Sequence, residues 1–187
     1  MNANILHVAL EQLRQGGVIG YATEAVFGLG CDPDNGAAVQ RLLDIKQRPI
    51  DKGLVLVAAD VSQLLPYLDL SKLPEGRLSV ILNTWPGPNT WIIPAKPEVP
   101  TWLRGRFDSL AVRVTAHPQV HDVCLAFGKP LVSSSANIAG QPPARTAIEL
   151  EQQLGAELDY ILPGHTQGLA NPSLIRDGGT GAVLRPA

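Results

Sequence analysis

Three cationic side chains, Lys46, Arg48 and Lys52, lie within one stretch of seven residues. The chain has 15 lysines and arginines among its 187 residues, so this stretch is a local concentration of positive charge. Arginine offers a planar fork of donors to phosphate or carboxylate, and lysine offers a compact point charge. Pro49 predicts the end of a helix here, where cations also favour the negative end of the helix dipole. The stretch therefore predicts either an anion site or a solvated helix end.

Two small, polar segments follow stretches that we predict to be buried strands. Residues 21–30 contain glycines that allow a ligand to approach the backbone closely. Residues 133–140 offer the hydroxyls of Ser133 and Ser135 and the amide of Asn137, which suit phosphate, ribose or carboxylate. The chain has neither Gly-x-Gly-x-x-Gly nor a Walker-type phosphate loop. Any nucleotide site in this chain is therefore of another design.

A nucleophilic serine is a minor alternative for the 133–140 segment. The Gly-x-Ser-x-Gly elbow of serine hydrolases is missing, and none of the four histidines lies in an obvious catalytic loop. Cys31 and Cys124 are far apart and lack metal-ligand spacing, so we predict free thiols, one of them buried in a helix, and no metal site.

Further cations and hydroxyls occur later in the chain. Arg113 interrupts a strand that is otherwise apolar, where an unpaired charge is expensive; it must form a salt bridge or reach an anion. Residues 171–177 form another polar segment that includes Ser173, and Arg185 follows the last apolar stretch. Each feature alone has a structural explanation, but together they predict one site at which these segments converge.

The elements that must position these residues alternate between helical and strand-like patterns. Apolar spacing predicts helices over residues 5–13, 36–45 with Asn35 as N-cap, 117–127 and 146–154. Apolar stretches predict strands over residues 18–21, 53–59, 90–94, 110–114, 130–133, 158–162 and 182–184. Several connections are too short for crossover helices, so we predict an α/β fold with a mixed sheet.

The composition favours one globular domain over residues 1–187. Hydrophobic residues make up 45% and charged residues 17%, and the net charge of −2 gives no general attraction to nucleic acid. The N-terminus lacks the pattern of a signal peptide, and no stretch is apolar enough to span a membrane. These features predict a cytoplasmic protein.

Several of these segments together resemble the YrdC/TsaC family of threonylcarbamoyl-AMP synthases. The family motifs occur in order as residues 22–30 (Ala-Thr-Glu-Ala-Val-Phe-Gly-Leu-Gly), 46–49 (Lys-Gln-Arg-Pro) and 135–140 (Ser-Ala-Asn-Ile-Ala-Gly). Residues 85–88 and 105–114 also match, so the resemblance extends from about residue 18 to residue 185. It implies a YrdC-like twisted mixed sheet with flanking helices and a concave basic cavity.

The resemblance also implies a reaction and its site residues. L-Threonine, bicarbonate or carbon dioxide, and ATP would give threonylcarbamoyl-adenylate and pyrophosphate, with Mg²⁺ carried mainly by the phosphates. Catalysis would rest on positioning and charge stabilisation by Lys46, Arg48 and Lys52 rather than on a nucleophile. The ATP site would comprise Lys46, Arg48, Lys52, Ser109, Ser135, Asn137 and Arg185. The L-threonine site would comprise Thr23, Arg113, Ser133 and Ser173.

This sequence departs from the family pattern at several positions. Ala22 stands where proline is usual, Ala25 where many relatives have threonine, and Ala139 where the motif has a second serine. The Asn-Pro-Ser of residues 171–173 replaces the Ser-Thr start of the motif in longer relatives.

The family resemblance implies partners as well as substrates. Other proteins would transfer the threonylcarbamoyl group to the adenosine beside the anticodon of tRNA, and any direct tRNA contact would be weak. An RNA-binding module without its own catalysis is the alternative, but the net charge and the absence of an aromatic stripe disfavour it. A carbamoyl-adenylate domain of hydrogenase maturation normally belongs to a longer chain with zinc-finger cysteines, which this sequence lacks.

Overall fold

A computed structural model describes residues 1–186. The helices are α1 Ala3–Arg14, α2 Gly36–Ile45, α3 Arg77–Leu82, α4 Thr101–Arg104, α5 Pro118–Phe127 and α6 Ala147–Leu154. The strands are β1 Ile19–Ala22, β2 Phe27–Cys31, β3 Val55–Ala58, β4 Asn89–Pro94, β5 Ser109–Val114, β6 Leu131–Ser135, β7 Tyr160–Ile161, β8 Leu174–Asp177 and β9 Val183–Arg185.

All nine strands belong to one mixed sheet, in the order β7-β1-β2-β6-β3-β5-β4-β8-β9. The pairs β1–β7, β3–β5 and β4–β8 are parallel, and the other neighbours are antiparallel. The prediction of an α/β fold with a mixed sheet is therefore confirmed. Because β7 and β8 lie near opposite edges, residues 162–173, which connect them, must cross most of the sheet's width.

Helix α2 brings the cationic stretch to the sheet. The Asn35 side chain caps it by accepting from the amides of Ala37 and Ala38, each at 3.1 Å, as the sequence predicted. The helix ends at Ile45, four residues before Pro49. Gln47 adopts a positive φ of 49°.

The backbone hydrogen bonds at the end of α2 form a Schellman motif. The amide of Gln47 donates to Asp44 O at 3.0 Å, and the amide of Arg48 donates to Leu43 O at 2.9 Å. This tight exit, rather than Pro49, ends the helix and sets the direction of Arg48.

Two strands lie in segments that the sequence pattern predicted to be polar loops. Residues 27–31 form β2, which pairs with β1 in a hairpin, and residues 174–177 form β8. The glycines of β2 serve packing: a Cβ at Gly30 would lie 2.7 Å from both the ring of Tyr21 and Val132 O. Helices α3 and α4 were not predicted, because six and four residues are too few to show helical periodicity.

Both cysteines are free and buried, Cys31 in β2 and Cys124 in α5, in line with the prediction. Burial raises the pKa of the Cys124 thiol to about 12, so it is protonated and unreactive at neutral pH. None of the helices in residues 1–186 has the length and apolar character needed to cross a membrane.

Candidate functional site

A cavity of about 740 Å³ lies against one face of the sheet. Ser109, Ala111 and Arg113 alternate along β5, so their side chains share that face. A row of register partners crosses four strands to form the floor: Ser133, Val55, Ala111 and Ile92. Ser133 and Ala111 have small side chains, and these leave room above the sheet for a ligand.

Ten of the eleven predicted site residues line this cavity. They come from segments far apart in the chain: Thr23, Arg48, Lys52, Ser109, Arg113, Ser133, Ser135, Asn137, Ser173 and Arg185. The convergence of the polar segments, which the sequence predicted, is therefore present in the fold. The floor residues Val55, Ala111 and Ile92 were not predicted, because apolar strand residues carry no chemical signal.

Lys46 is the predicted site residue that the structure places elsewhere. It is 3% exposed and does not line the cavity. Its ammonium donates to Ser135 O, to Asn137 O at 2.8 Å and to Asn137 Oδ1 at 3.4 Å. Its own carbonyl accepts from the amide of Ala139 at 2.9 Å. In this structure Lys46 therefore holds the 135–139 loop, and its predicted contact with ATP stays a prediction.

The loop that Lys46 holds has further internal hydrogen bonds. Ser135 Oγ donates to Asn137 Oδ1 at 2.6 Å, and Asn137 Nδ2 donates to Ile138 O and Gln141 O at 2.9 and 2.8 Å. These contacts fix the side chains of Ser135 and Asn137 where they line the cavity.

Arg48 has unused donor capacity. Its Nη2 donates to Gly53 O at 2.9 Å, while its Nε is buried without a hydrogen-bond partner in residues 1–186. Burial lowers the pKa of Arg48, and nearby Asp51 offsets part of this effect. Lys52 ends the adjacent 3₁₀ turn, Ile50–Lys52, and is exposed. This segment presents two cations to the cavity, as an anion site requires.

Arg113 forms the salt bridge that its place in an apolar strand had suggested, and it also lines the cavity. Its Nη1 lies 2.6 Å from Glu24 Oε2, and the two side chains are 8% and 4% exposed. Glu24 Oε1 accepts from Thr115 Oγ1 at 2.8 Å and from the Ala116 amide at 3.3 Å. Burial alone raises the pKa of Glu24, but Arg113 and these hydrogen bonds outweigh it, so the pKa lies below its usual value.

Glu24 was not among the predicted site residues. It lies inside the motif at residues 22–30, next to the predicted site residue Thr23. The need of Arg113 for a counter-charge was the available signal, but sequence alone did not say which of the 17 acidic residues would supply it.

Three more of the predicted site residues make hydrogen bonds within the protein: Thr23, Ser173 and Arg185. Thr23 Oγ1 donates to Val26 O at 2.6 Å, and Ser173 Oγ lies 2.8 Å from Thr90 Oγ1. Arg185 Nη2 donates to Ser173 O at 2.7 Å. Burial, with a smaller effect of nearby Arg113, lowers the pKa of Arg185. These contacts fix two hydroxyls and a further cation at the cavity.

The connection over residues 162–173 borders the cavity and was not predicted to do so. Leu169, Asn171 and Pro172 line it, and the Leu169 amide donates to Glu24 O at 3.1 Å. His117 is buried and its Nε2 is 3.1 Å from His165 O, so it donates to this connection rather than to a serine. None of the four histidines is among the described cavity residues, which gives the serine-nucleophile alternative no base.

Within residues 1–186, no group of three or more histidine, cysteine, aspartate or glutamate side chains is arranged to hold a metal ion. Glu24, the one carboxylate among the described cavity residues, is committed to Arg113. The other charged side chains among the described cavity residues are cations, so the cavity suits anions.

Comparison with known proteins identifies the family and supports the fold. The Sua5/YciO/YrdC family model, which carries the description "telomere recombination", matches residues 11–187. A threonylcarbamoyl-AMP synthase of Vibrio parahaemolyticus is 57% identical over 176 residues, covering 94% of this chain and 95% of that protein.

Two solved structures of P. abyssi Sua5 share the fold, each at 28% identity. A doubly substituted variant superposes with a TM-score of 0.90 over 97% of this chain, which spans 56% of that longer protein. A complex with L-threonine gives a TM-score of 0.85 over 92% of this chain and 50% of that one. The chain belongs to the Sua5/YciO/YrdC family.

Proposed function

We propose that this protein is a threonylcarbamoyl-AMP synthase, which forms L-threonylcarbamoyladenylate and pyrophosphate from L-threonine, bicarbonate or carbon dioxide, and ATP. The observation that carries the proposal is the convergence of Arg48, Lys52, Arg185 and Arg113 on one cavity of about 740 Å³. Relatives more than half identical in sequence and of nearly the same length bear this name. ATP and L-threonine are accordingly the substrates.

The cations without carboxylate partners suit the triphosphate. Arg48 lines the cavity, and Lys52 and Arg185 add charge from two other elements. Ser109, Ser135 and Asn137 supply hydroxyl and amide groups for the rest of the nucleotide. Lys46 contributes by holding Ser135 and Asn137 in place.

The amino acid fits the end of the cavity at Arg113. The guanidinium would bind the carboxylate of L-threonine, and the hydroxyl-bearing Thr23, Ser133 and Ser173 lie on the same cavity. The ammonium of threonine loses a proton, the resulting amine attacks the carbon of carbon dioxide, and loss of a second N–H proton to solvent leaves a carbamate. A carbamate oxygen then attacks the α-phosphorus of ATP, and the bond to the bridging oxygen of the leaving pyrophosphate breaks.

Positioning and charge stabilisation suffice for this chemistry. Arg48 and Lys52 neutralise the charge that develops on the departing pyrophosphate, and each charge-assisted hydrogen bond contributes about 1.5–3 kcal/mol. Mg²⁺ would arrive on the phosphates of ATP, because the described cavity residues include no free carboxylate to hold it.

The product would pass to other proteins that modify tRNA beside the anticodon. We place this activity in the cytoplasm, in a single domain over residues 1–187, with at most a weak contact to tRNA. The net charge of −2 supports weak contact, because only a few local cations would meet phosphates.

Mass detection of threonylcarbamoyladenylate from ATP, L-threonine and bicarbonate, without tRNA, tests the proposal. We expect product with the wild-type protein and with Arg14→Ala, an exposed arginine outside the cavity. We expect strongly reduced product with Arg48→Ala. Product that appears only when tRNA is added would favour the RNA-binding alternative, and no product under either condition would reject the proposal.

A further inference from the structure

Among the described residues that line the cavity, positive side chains outnumber negative ones. Five are cationic: Arg48, Lys52, Arg104, Arg113 and Arg185. Glu24 alone among them is acidic. A polyanion such as a triphosphate would therefore be attracted to several positions in the same cavity, including the one that suits the amino acid.

Glu24 cancels the charge of one particular cation. Its Oε2 lies 2.6 Å from Arg113 Nη1, and its Oε1 accepts from Thr115 Oγ1 and the Ala116 amide. The side chain is 4% exposed and both oxygens are engaged within the protein, so it acts through Arg113 rather than on a ligand. Its lowered pKa keeps it ionised at neutral pH.

The other cations differ from Arg113 in this respect. Within residues 1–186, Arg48, Lys52 and Arg185 have no side-chain carboxylate within 4.0 Å. Arg104 lies 3.4 Å from Asp108, which is fully exposed. The cavity therefore contains a buried Arg113–Glu24 pair with no net charge, beside three cations that have no carboxylate partner within 4.0 Å.

The paired Arg113 and the unpaired cations should therefore favour ligands of different net charge. A triphosphate gains most from uncompensated cations, because Coulomb attraction grows with net charge. An amino acid in its zwitterionic form has no net charge and gains from the directional donors of a fixed guanidinium. A neutral Arg113–Glu24 pair offers those donors without attracting phosphates.

We infer that Glu24 is a positioning residue that makes Arg113 selective for the amino-acid carboxylate and keeps the triphosphate away from it. The inference rests on the proposed function and adds to it a reason why two anionic groups occupy separate parts of one cavity. Thr115 has a supporting role, since its hydroxyl fixes the carboxylate of Glu24 and carries no charge.

Calorimetric binding to the wild-type protein gives the first test, with inorganic tripolyphosphate and L-threonine as probes. At constant ionic strength we expect the two probes to bind together, each changing the Kd of the other by less than about threefold. Mutual exclusion in the wild-type protein would overturn the inference.

Glu24→Gln gives the second test, because it keeps the shape of the side chain and removes its charge. Tripolyphosphate should bind this variant about tenfold more tightly and should now compete with L-threonine. Thr115→Val is the matched control: it removes a hydrogen bond to Glu24 but leaves the charge, so tripolyphosphate should bind it as it binds the wild type. Unchanged tripolyphosphate binding in Glu24→Gln, or equal competition in both variants, would contradict the inference.

These outcomes are separable from failure of the proposed function. Wild-type protein that makes no threonylcarbamoyladenylate would refute the function, whereas product formation with mutually exclusive probes would refute the role of Glu24 alone. Circular dichroism confirms that each variant is folded, and if Glu24→Gln does not fold, the wild-type measurement decides.

Discussion

Replacing Lys46 by methionine tests whether this residue acts through the loop behind the cavity or on the nucleotide itself. Methionine retains an unbranched apolar stem and removes the ammonium group. In the wild-type protein that ammonium donates to Ser135 O, and to Asn137 O at 2.8 Å, from a side chain that is 3% exposed. The substitution should therefore release the loop without leaving a large void.

The effect on stability follows from two opposing contributions. Two charge-assisted hydrogen bonds contribute about 1.5–3 kcal/mol each. Burial, with a smaller effect of nearby Arg48, lowers the pKa of Lys46 from 10.5 to about 8, which corresponds to a penalty of about 3 kcal/mol on the buried ammonium. The free energy of unfolding should thus fall by no more than about 3 kcal/mol, a decrease in Tm of at most about 10 °C for a chain of this size.

Activity should fall more than stability. Displacement of Ser135 and Asn137 by about 1 Å is enough to cost about 100-fold in rate. The assay is kcat/KM for ATP in Lys46→Met, Asn137→Ala and the double variant, with a thermal melt of each. If Lys46 acts through the loop, the two effects should overlap, with a coupling energy of about 1 kcal/mol or more. Additive losses would refute this reasoning and return Lys46 to direct contact with ATP.

Three further predictions concern pH, the nucleotide and the amino acid. Between pH 8 and 10.5 the unfolded chain keeps a proton on Lys46 that the folded protein has lost. As the pH rises through this range, the free energy of unfolding of the wild type should therefore rise relative to that of Lys46→Met, by up to about 3 kcal/mol. Denaturant titrations of both proteins at pH 7 and pH 10 measure this, and an equal change in the two proteins would contradict it. Arg48→Ala should lower kcat/KM for ATP roughly 10- to 150-fold, and Arg48→Lys should recover part of that loss. The free energy of unfolding should fall by about 1 kcal/mol, because the guanidinium makes one hydrogen bond within the protein, to Gly53 O. Unchanged kinetics with a normal melt would mean that Arg48 belongs to a solvated helix end. L-Valine should be used far less than L-serine in the adenylate assay, because a site that hydrogen-bonds a hydroxyl rejects analogues without one; equal turnover of valine and threonine would contradict the predicted amino-acid site.

The sequence predicted the longer elements and their order. Helix α2 shows how: Asn35 caps it, and its apolar side chains, including Val39 and Leu42, recur at helical spacing and are buried. Such signals are local, since capping and periodicity involve residues within a few positions of one another. Strand β2 gave no such signal, because its alternate glycines pack against Tyr21 and read as a loop.

The sequence also indicated ten of the polar residues that line the cavity. Arg48, Ser135 and Arg185 were singled out by residue type and by their place at the ends of apolar segments. Residue type is informative here because burying a polar group without a hydrogen-bond partner costs free energy, so polar side chains on a covered sheet gather at few places. The family motifs extended the prediction to the reaction, and membership of the family is confirmed.

Only the tertiary structure decided how the charges are used. Lys46 and Arg48 are two residues apart, yet one points into the protein toward a loop 89 residues away and the other borders the cavity. Likewise, Arg113 finds its counter-charge in Glu24, 89 residues earlier in the chain. Local sequence sets the charge and reach of a side chain, but its partner depends on which distant strands and loops the fold brings within about 3 Å. The sequence therefore determined which functional groups are available at the cavity, and the tertiary structure decided which of its cations are paired with a carboxylate and which are free to bind a ligand.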